Sequence, residues 1–108
     1  MIHYKYRPKA EDYDGFVELF RDKLVHSQPS TCFFIYGSYA RGEHDVGRSD
    51  IDGGIILDSG IVTDKAQVKE LANIMKECLE EHRVMTQFNL LDRESNRDGR
   101  FLSYTSNY

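Results

Sequence analysis

Two apolar runs separated by a short polar segment place the strongest constraint on the fold that this chain can adopt. The first run ends in Gly37 and Ser38, and the second begins at Asp50, Ile51 and Asp52. Residues two apart in a strand point to the same face, so the two aspartates are expected to project together while Ile51 points into a core. Two neighbouring carboxylates repel each other unless a cation lies between them. The pattern therefore predicts a site for a hard divalent cation such as Mg²⁺, held by Asp50 and Asp52.

The turn at Gly37 and Ser38 predicts a place for phosphate groups. Glycine lets the backbone approach a ligand closely, serine offers a hydroxyl, and a short helix over residues 38–41 would present free N–H groups to an anion. Taken alone, the turn is typical of a plain strand-to-helix connection. The acidic pair, taken alone, is compatible with a strand that begins in solvent. Together they favour a site for a metal ion and a nucleoside triphosphate.

The order of the predicted elements indicates one α/β domain over residues 1–108. Apolar residues at helical spacing predict helices over residues 11–26 and 64–82. Runs rich in β-branched and aromatic residues predict strands over 31–36, 50–57 and 83–91. The first strand is apolar throughout, which favours burial on both faces.

Several residues within these elements carry predictions of their own. Gly53 and Gly54 interrupt the second strand, which indicates the close approach of another group, a nucleotide or a helix. Asp64 and Gln67 have the spacing of a capping box at the start of the second helix. Met75 and Cys78 fall on the apolar stripe of that helix and are expected in the core rather than at a cofactor.

The central stretch also resembles a family. The chain carries the pattern G-S-x11-D-x-D, in which Arg41 lies three residues after the serine and Ser49 lies just before the first aspartate. This pattern resembles the minimal nucleotidyltransferases of the DNA polymerase β-like superfamily. The resemblance implies the polymerase β-like nucleotidyltransferase fold, a small mixed β-sheet covered by helices. It also implies transfer of a nucleoside monophosphate from a nucleoside triphosphate such as ATP to a hydroxyl, with release of pyrophosphate.

The resemblance assigns roles to residues of this chain. It implies that Asp50 and Asp52 hold Mg²⁺, two ions in all. The nucleotide would be bound by four further residues, which are Gly37, Ser38, Arg41 and Ser49.

The family usually carries a third carboxylate on the next strand, where this chain has Asn89. Three interpretations follow. Asp92, three residues on, reaches the site and completes a catalytic set with Asp50 and Asp52; or Asn89 coordinates weakly through its carbonyl; or the third ligand is missing. In the last case the protein would be a catalytically weak nucleotide-binding or regulatory protein, or an antitoxin-type partner of a small helical protein.

The net charge and the apolar content of the chain limit the kinds of partner and the cellular location that we expect. The chain has 108 residues and a net charge of −4, which argues against broad binding to nucleic acid. No apolar run approaches the ~20 residues that span a bilayer, and the first residues lack the apolar core of a secretory signal, so we expect a cytoplasmic protein. Beside the nucleotide, the resemblance implies a small helical partner protein, as in toxin–antitoxin modules, or a homodimer.

Three remaining features give weaker predictions. Cys32 and Cys78 are far apart and lie in apolar patterns, so we expect two buried thiols rather than a disulfide. His44 lies between acidic residues in the polar loop of residues 42–49, where a solvated side chain is expected. Residues 101–108 turn aromatic, which is compatible with a short helix or strand that contacts a partner or with a chain that continues past Tyr108.

Overall fold

The computed structural model describes residues 7–57, 65–92 and 102–106. Its elements are α1 (Ala10–Ser27), β1 (Cys32–Tyr36), α2 (Gly37–Ala40), β2 (Ile51–Leu57), α3 (Lys65–Glu81), β3 (Thr86–Asp92) and β4 (Leu102–Ser106). The predicted α/β class is confirmed, and the aromatic end of the chain contributes a strand. The predicted cap at Asp64 lies outside the described residues.

The four described strands form a mixed sheet in the order β1-β2-β3-β4. β1 runs antiparallel to β2, β2 runs parallel to β3, and β3 runs antiparallel to β4. In this register Asp52 pairs with Tyr36 on one side and with Gln87 on the other. The end of β1 and the beginnings of β2 and β3 therefore meet at one edge of the sheet.

The core lies between one face of this sheet and the two long helices. Apolar side chains at helical spacing turn inward from α1 and α3 because that placement removes them from water. Met75 and Cys78 are buried there, as predicted. None of the described helices is long and apolar enough to cross a membrane. The buried set is Tyr13, Phe16, Phe20, Leu24, Ile51, Ile55, Leu57, Leu71, Ile74, Met75, Cys78, Leu79, Val84 and Phe88.

Polar contacts fix the ends of the helices. The backbone N–H of Lys9 donates to Asp12 Oδ2 at 2.9 Å, which closes the first turn of α1. At the start of α3, Gln67 Nε2 donates to Gln28 Oε1 at 2.9 Å and to Thr31 Oγ1 at 3.2 Å. Gln67 thus ties α3 to the segment that leads into β1.

The sheet face opposite the helices, which we call the open face, is only partly covered. Phe34 is 44% exposed and Tyr36 is 43% exposed, and Cys32 is also exposed. The predictions that β1 is buried on both faces and that Cys32 is a buried thiol are therefore wrong. β1 is an outer strand of the described sheet, and both long helices pack on the other face. The open face consists of Cys32, Phe34 and Tyr36 of β1, Asp52, Gly54 and Ile56 of β2, and Gln87, Asn89 and Leu91 of β3.

Gly53 and Gly54 make room for phenylalanine rings. A Cβ added to Gly54 would overlap the Phe34 ring on the open face. One added to Gly53 would lie 2.6 Å from the Phe88 ring and 2.8 Å from the carbonyl oxygen of Phe34. The close approach predicted at these glycines is confirmed, but its partners are the neighbouring strands of the sheet rather than a nucleotide or a helix.

Candidate active site

The Asp52 carboxylate lies against Gly37, at the junction of β1 and α2. Gly37 has a φ of +82°, a conformation that residues with a Cβ adopt only with strain. A Cβ at this position would also overlap Asp52 Oδ2 and lie 3.3 Å from Asp52 Cγ. Only glycine therefore meets both the backbone and the space requirements at the end of β1.

Asp50 and Asp52 are both half-buried at the beginning of β2. Burial, and secondly the negative charge of Asp50, raise the pKa of the Asp52 carboxyl. Both effects disfavour the charged form, and a bound cation would relieve them. Among the described residues no three His, Cys, Asp or Glu side chains are grouped to hold a metal ion. Two carboxylates fit Mg²⁺, which commonly takes its other ligands from water and substrate phosphates.

Ser38 follows Gly37 in the single turn of α2 and is half-buried. Its carbonyl oxygen accepts the backbone N–H of Glu43 at 2.9 Å, which folds the following loop back onto the turn. A helix of four residues sums few peptide dipoles, so the predicted contribution of the helix to anion binding is small. A phosphate group here would rely on the Gly37 backbone and the Ser38 hydroxyl.

Tyr13 of α1 holds the loop that precedes Asp50. Its side chain is fully buried, and its hydroxyl donates to the carbonyl oxygen of Ser49 at 2.8 Å. The same hydroxyl accepts the backbone N–H of Gly47 at 3.0 Å. Tyr13 was not among the residues predicted to form the site, although it lies three residues before Phe16 on the apolar stripe of α1. Its spacing predicts burial, but the loop as its partner is visible only in three dimensions.

Ser49, predicted to bind nucleotide, is engaged within the loop. Its Oγ accepts the backbone N–H of Asp45 at 2.8 Å, in addition to the bond between its carbonyl and Tyr13. Arg41, the other predicted nucleotide ligand outside the turn, forms an exposed ion pair with Glu43 at 2.8 Å. An exposed pair of this kind contributes about 0–1 kcal/mol, so Arg41 can exchange its partner at little cost.

His44 packs between two tyrosines and is half-buried, so the prediction of a solvated side chain is wrong. The centre of its ring lies 4.7 Å from that of Tyr13 and 5.0 Å from that of Tyr39. The Tyr39 hydroxyl donates to the Asp14 carboxylate, and burial, followed by this bond, raises the pKa of Tyr39 to about 12. The ring cluster fastens α2 and the loop to α1.

The structure does not bring Asp92 to the carboxylate pair. Asp92 pairs with Leu57, five residues along the sheet from Gln87, and at about 3.3 Å per residue this is roughly 16 Å. We therefore do not retain Asp92 as a third carboxylate. Gln87 pairs directly with Asp52, and Asn89 pairs with Gly54 one step further on the open face. The β3 residues nearest the pair thus carry amides.

These features define a class of protein: an α/β domain that presents two carboxylates beside a glycine-serine turn at the edge of a mixed sheet. The family model described as the nucleotidyltransferase domain matches residues 17–92, more than half of the chain. The chain belongs to this family, which confirms the resemblance and its fold. No curated protein and no solved structure gave a significant match.

Proposed function

We propose that this protein is a Mg²⁺-dependent nucleotidyltransferase that moves a nucleoside monophosphate from a nucleoside triphosphate to a hydroxyl acceptor. The observation that carries the proposal is the packing of Gly37 against the Asp52 carboxylate. It places a turn suited to phosphate groups directly beside two carboxylates suited to a cation. Family membership supports nucleotidyl transfer in general, and this contact supports the metal and the triphosphate.

In the proposed reaction the acceptor oxygen forms a bond to the α-phosphorus, and the bond from that phosphorus to the bridging oxygen of the β-phosphate breaks. Pyrophosphate leaves with the electron pair of the broken bond, and the proton of the acceptor hydroxyl passes to water. Asp50 and Asp52 would hold the cation, which when bound would neutralise charge on the phosphates. Gly37 and Ser38 hold the outer phosphates, so that the α-phosphorus is positioned for in-line attack. The acceptor comes from outside this chain, from a small helical partner or a second copy.

A second candidate function is nucleotide binding with weak or no turnover. One observation favours it: the open face presents Gln87 and Asn89 beside the acidic pair, and no described carboxylate joins Asp50 and Asp52. Amides cannot accept the proton of an attacking hydroxyl as a carboxylate does. Binding without pyrophosphate release would establish this alternative.

The test titrates each nucleoside triphosphate into the protein by calorimetry, with Mg²⁺ and with EDTA. The variants are Asp50→Asn and Asp52→Asn. The control is Asp22→Asn, which removes the same charge from an exposed position of α1. We expect Mg²⁺-dependent binding that both site variants lose and the control keeps. Removing one of two like charges should not lower the melting temperature, so the loss would not reflect unfolding. Equal binding by the site variants, or none by the unaltered protein, contradicts the proposal.

A pyrophosphate-release assay on the same proteins then separates the two candidates. Release that requires Asp50 and Asp52 supports the transferase. Tight Mg²⁺-dependent binding with no release, over a range of hydroxyl acceptors, supports the binding protein.

A further inference from the structure

Two aromatic rings lie side by side on the open face, next to the carboxylates. Phe34 and Tyr36 have ring centres 6.0 Å apart and planes inclined by 31°. Described residues include four large hydrophobic side chains that are exposed, and these two are among them, with Val25 and Val46 elsewhere. The aromatic side chains on the opposite face of β1 and β3, Phe33 and Phe88, pack into the core instead.

Both rings extend from β1 over β2. The Phe34 ring lies on Gly54, where any Cβ would overlap it. The Tyr36 hydroxyl accepts a long hydrogen bond of 3.5 Å from Asn89 Nδ2, so the Tyr36 side chain extends from β1 across β2 to β3. Gly54 and Asn89 therefore position the two rings on the open face, and we call the surface formed by Phe34 and Tyr36 the aromatic floor.

The floor begins beside the proposed metal ligands. Tyr36 is the register partner of Asp52, and Phe34 lies two residues further along β1, roughly 7 Å from that edge. Asn89 and Gln87 lie on the same face and offer amide donors and acceptors at its rim. An exposed aromatic surface with amides at its rim suits a planar heteroaromatic ring with polar edges.

We propose that the aromatic floor binds the base of the nucleoside triphosphate by stacking. This inference rests on the proposed function, because it takes the triphosphate to lie at Gly37, Ser38 and the carboxylates. Stacking needs the face of only one or two rings, and base–aromatic stacking tolerates every base since each has a π-face. A protein partner would need about 800 Å² on this chain, far more than two half-exposed rings present.

The test compares ligands that share the phosphates and differ in the base. ATP, GTP, CTP, UTP and inorganic tripolyphosphate are titrated with Mg²⁺ into the unaltered protein, Phe34→Leu and Tyr36→Leu. Val25→Ala, an exposed apolar residue of α1, is the control. Melting temperatures and circular dichroism verify that each variant is folded. Light scattering after size exclusion gives the molar mass of each variant.

We expect each leucine variant to weaken binding of at least one nucleoside triphosphate by about 5- to 100-fold, the range of one stacking contact. Tripolyphosphate binding should change by less than about twofold, since the floor does not contact phosphates. The control should bind every ligand as the unaltered protein does.

Other outcomes overturn the inference, the proposed phosphate site, or both. If nucleoside triphosphates and tripolyphosphate lose affinity equally, or neither loses any, the floor does not bind the base. Unchanged nucleotide binding with a lower molar mass would instead assign the open face to a second copy of the chain. If tripolyphosphate does not bind but nucleotide binding still depends on Phe34 and Tyr36, the floor stands and the proposed phosphate site fails. If no ligand binds the unaltered protein, both fail.

Discussion

The backbone of Gly37 and the carboxylate of Asp52 are in direct contact, and this contact joins the two halves of the candidate site. Gly37 directly follows β1 and Asp52 is the second residue of β2, and the antiparallel ladder places them at the same edge. The space that a side chain would fill at Gly37 is occupied by a potential metal ligand. A phosphate group that approaches this turn therefore comes close to the acidic pair.

We predict that Gly37→Ala weakens Mg²⁺-dependent tripolyphosphate binding by about tenfold or more, equivalent to 1.4 kcal/mol. The added methyl group would displace the Asp52 carboxylate, and the positive φ would be strained as well. Calorimetric titration measures the affinity, and urea denaturation measures the free energy of unfolding.

Gly42→Ala is the matched control for this prediction. Gly42 also has a positive φ, +71°, but a Cβ there would have nothing within 4 Å. Both variants should lose about 1–2 kcal/mol of stability from backbone strain, and only Gly37→Ala should lose affinity. Equal losses of affinity would show that the contact with Asp52 is unimportant.

The two glycines of β2 should respond differently to alanine. At Gly53 the methyl group would meet the Phe34 carbonyl and the fully buried Phe88 ring, so we predict a loss of about 1–3 kcal/mol. At Gly54 it would meet only the half-exposed Phe34 ring, which can move into solvent. Urea denaturation should therefore show a smaller loss for Gly54→Ala, or a gain from the lower backbone entropy of the unfolded chain. The reverse order would contradict the packing described.

The helices and their inward faces were predictable because the signal is local. Residues 11–26 and 64–82 were predicted as helices, and the structure gives Ala10–Ser27 and Lys65–Glu81. Apolar spacing of 3.6 residues marks both the element and the face it buries. The glycine-serine turn and the acidic pair were likewise visible as a pattern, and the fold brings them together.

What failed depends on neighbours that are distant in sequence. The apolar run of β1 does not reveal that helices cover only one of its faces. The distance of Asp92 from the site follows from the pairing of β3 with β2, in which Asp92 lies opposite Leu57. The residues around His44 in the sequence also do not predict its burial, because the rings that contact it, Tyr13 and Tyr39, belong to other elements.

Tyr13→Phe should loosen the loop before Asp50 while keeping the core filled. The substitution removes the hydroxyl that bonds Ser49 and Gly47, so we predict a loss of about 1–3 kcal/mol in stability. The Gly47 amide should exchange with deuterium faster than in the unaltered protein. Tyr39→Phe is the control, because its hydroxyl bonds Asp14 rather than the loop. Unchanged Gly47 exchange in Tyr13→Phe would contradict the role assigned to this hydroxyl.

The two thiols should differ sharply in reactivity. Cys32 is exposed, whereas Cys78 is fully buried and burial raises its pKa to about 11. The thiolate is the reactive form, so at neutral pH iodoacetamide should modify Cys32 and leave Cys78 unmodified until the protein unfolds. The protein is labelled with and without urea and then digested, and mass spectrometry of the peptides measures the modification of each cysteine. Modification of Cys78 in the folded protein at the rate of Cys32 would contradict its burial.

Asn89→Asp tests whether turnover is limited by the amide on β3. Asn89 lies on the open face one step beyond the residue that pairs with Asp52, and a carboxylate there would add a proton acceptor near the acidic pair. General base catalysis contributes about 10²–10⁴-fold, so we predict at least a tenfold rise in pyrophosphate release. Asn73→Asp, the same substitution at an exposed position of α3, should leave release unchanged. If the unaltered protein is active and Asn89→Asp releases pyrophosphate no faster, the absence of a carboxylate at this position does not limit the rate of turnover.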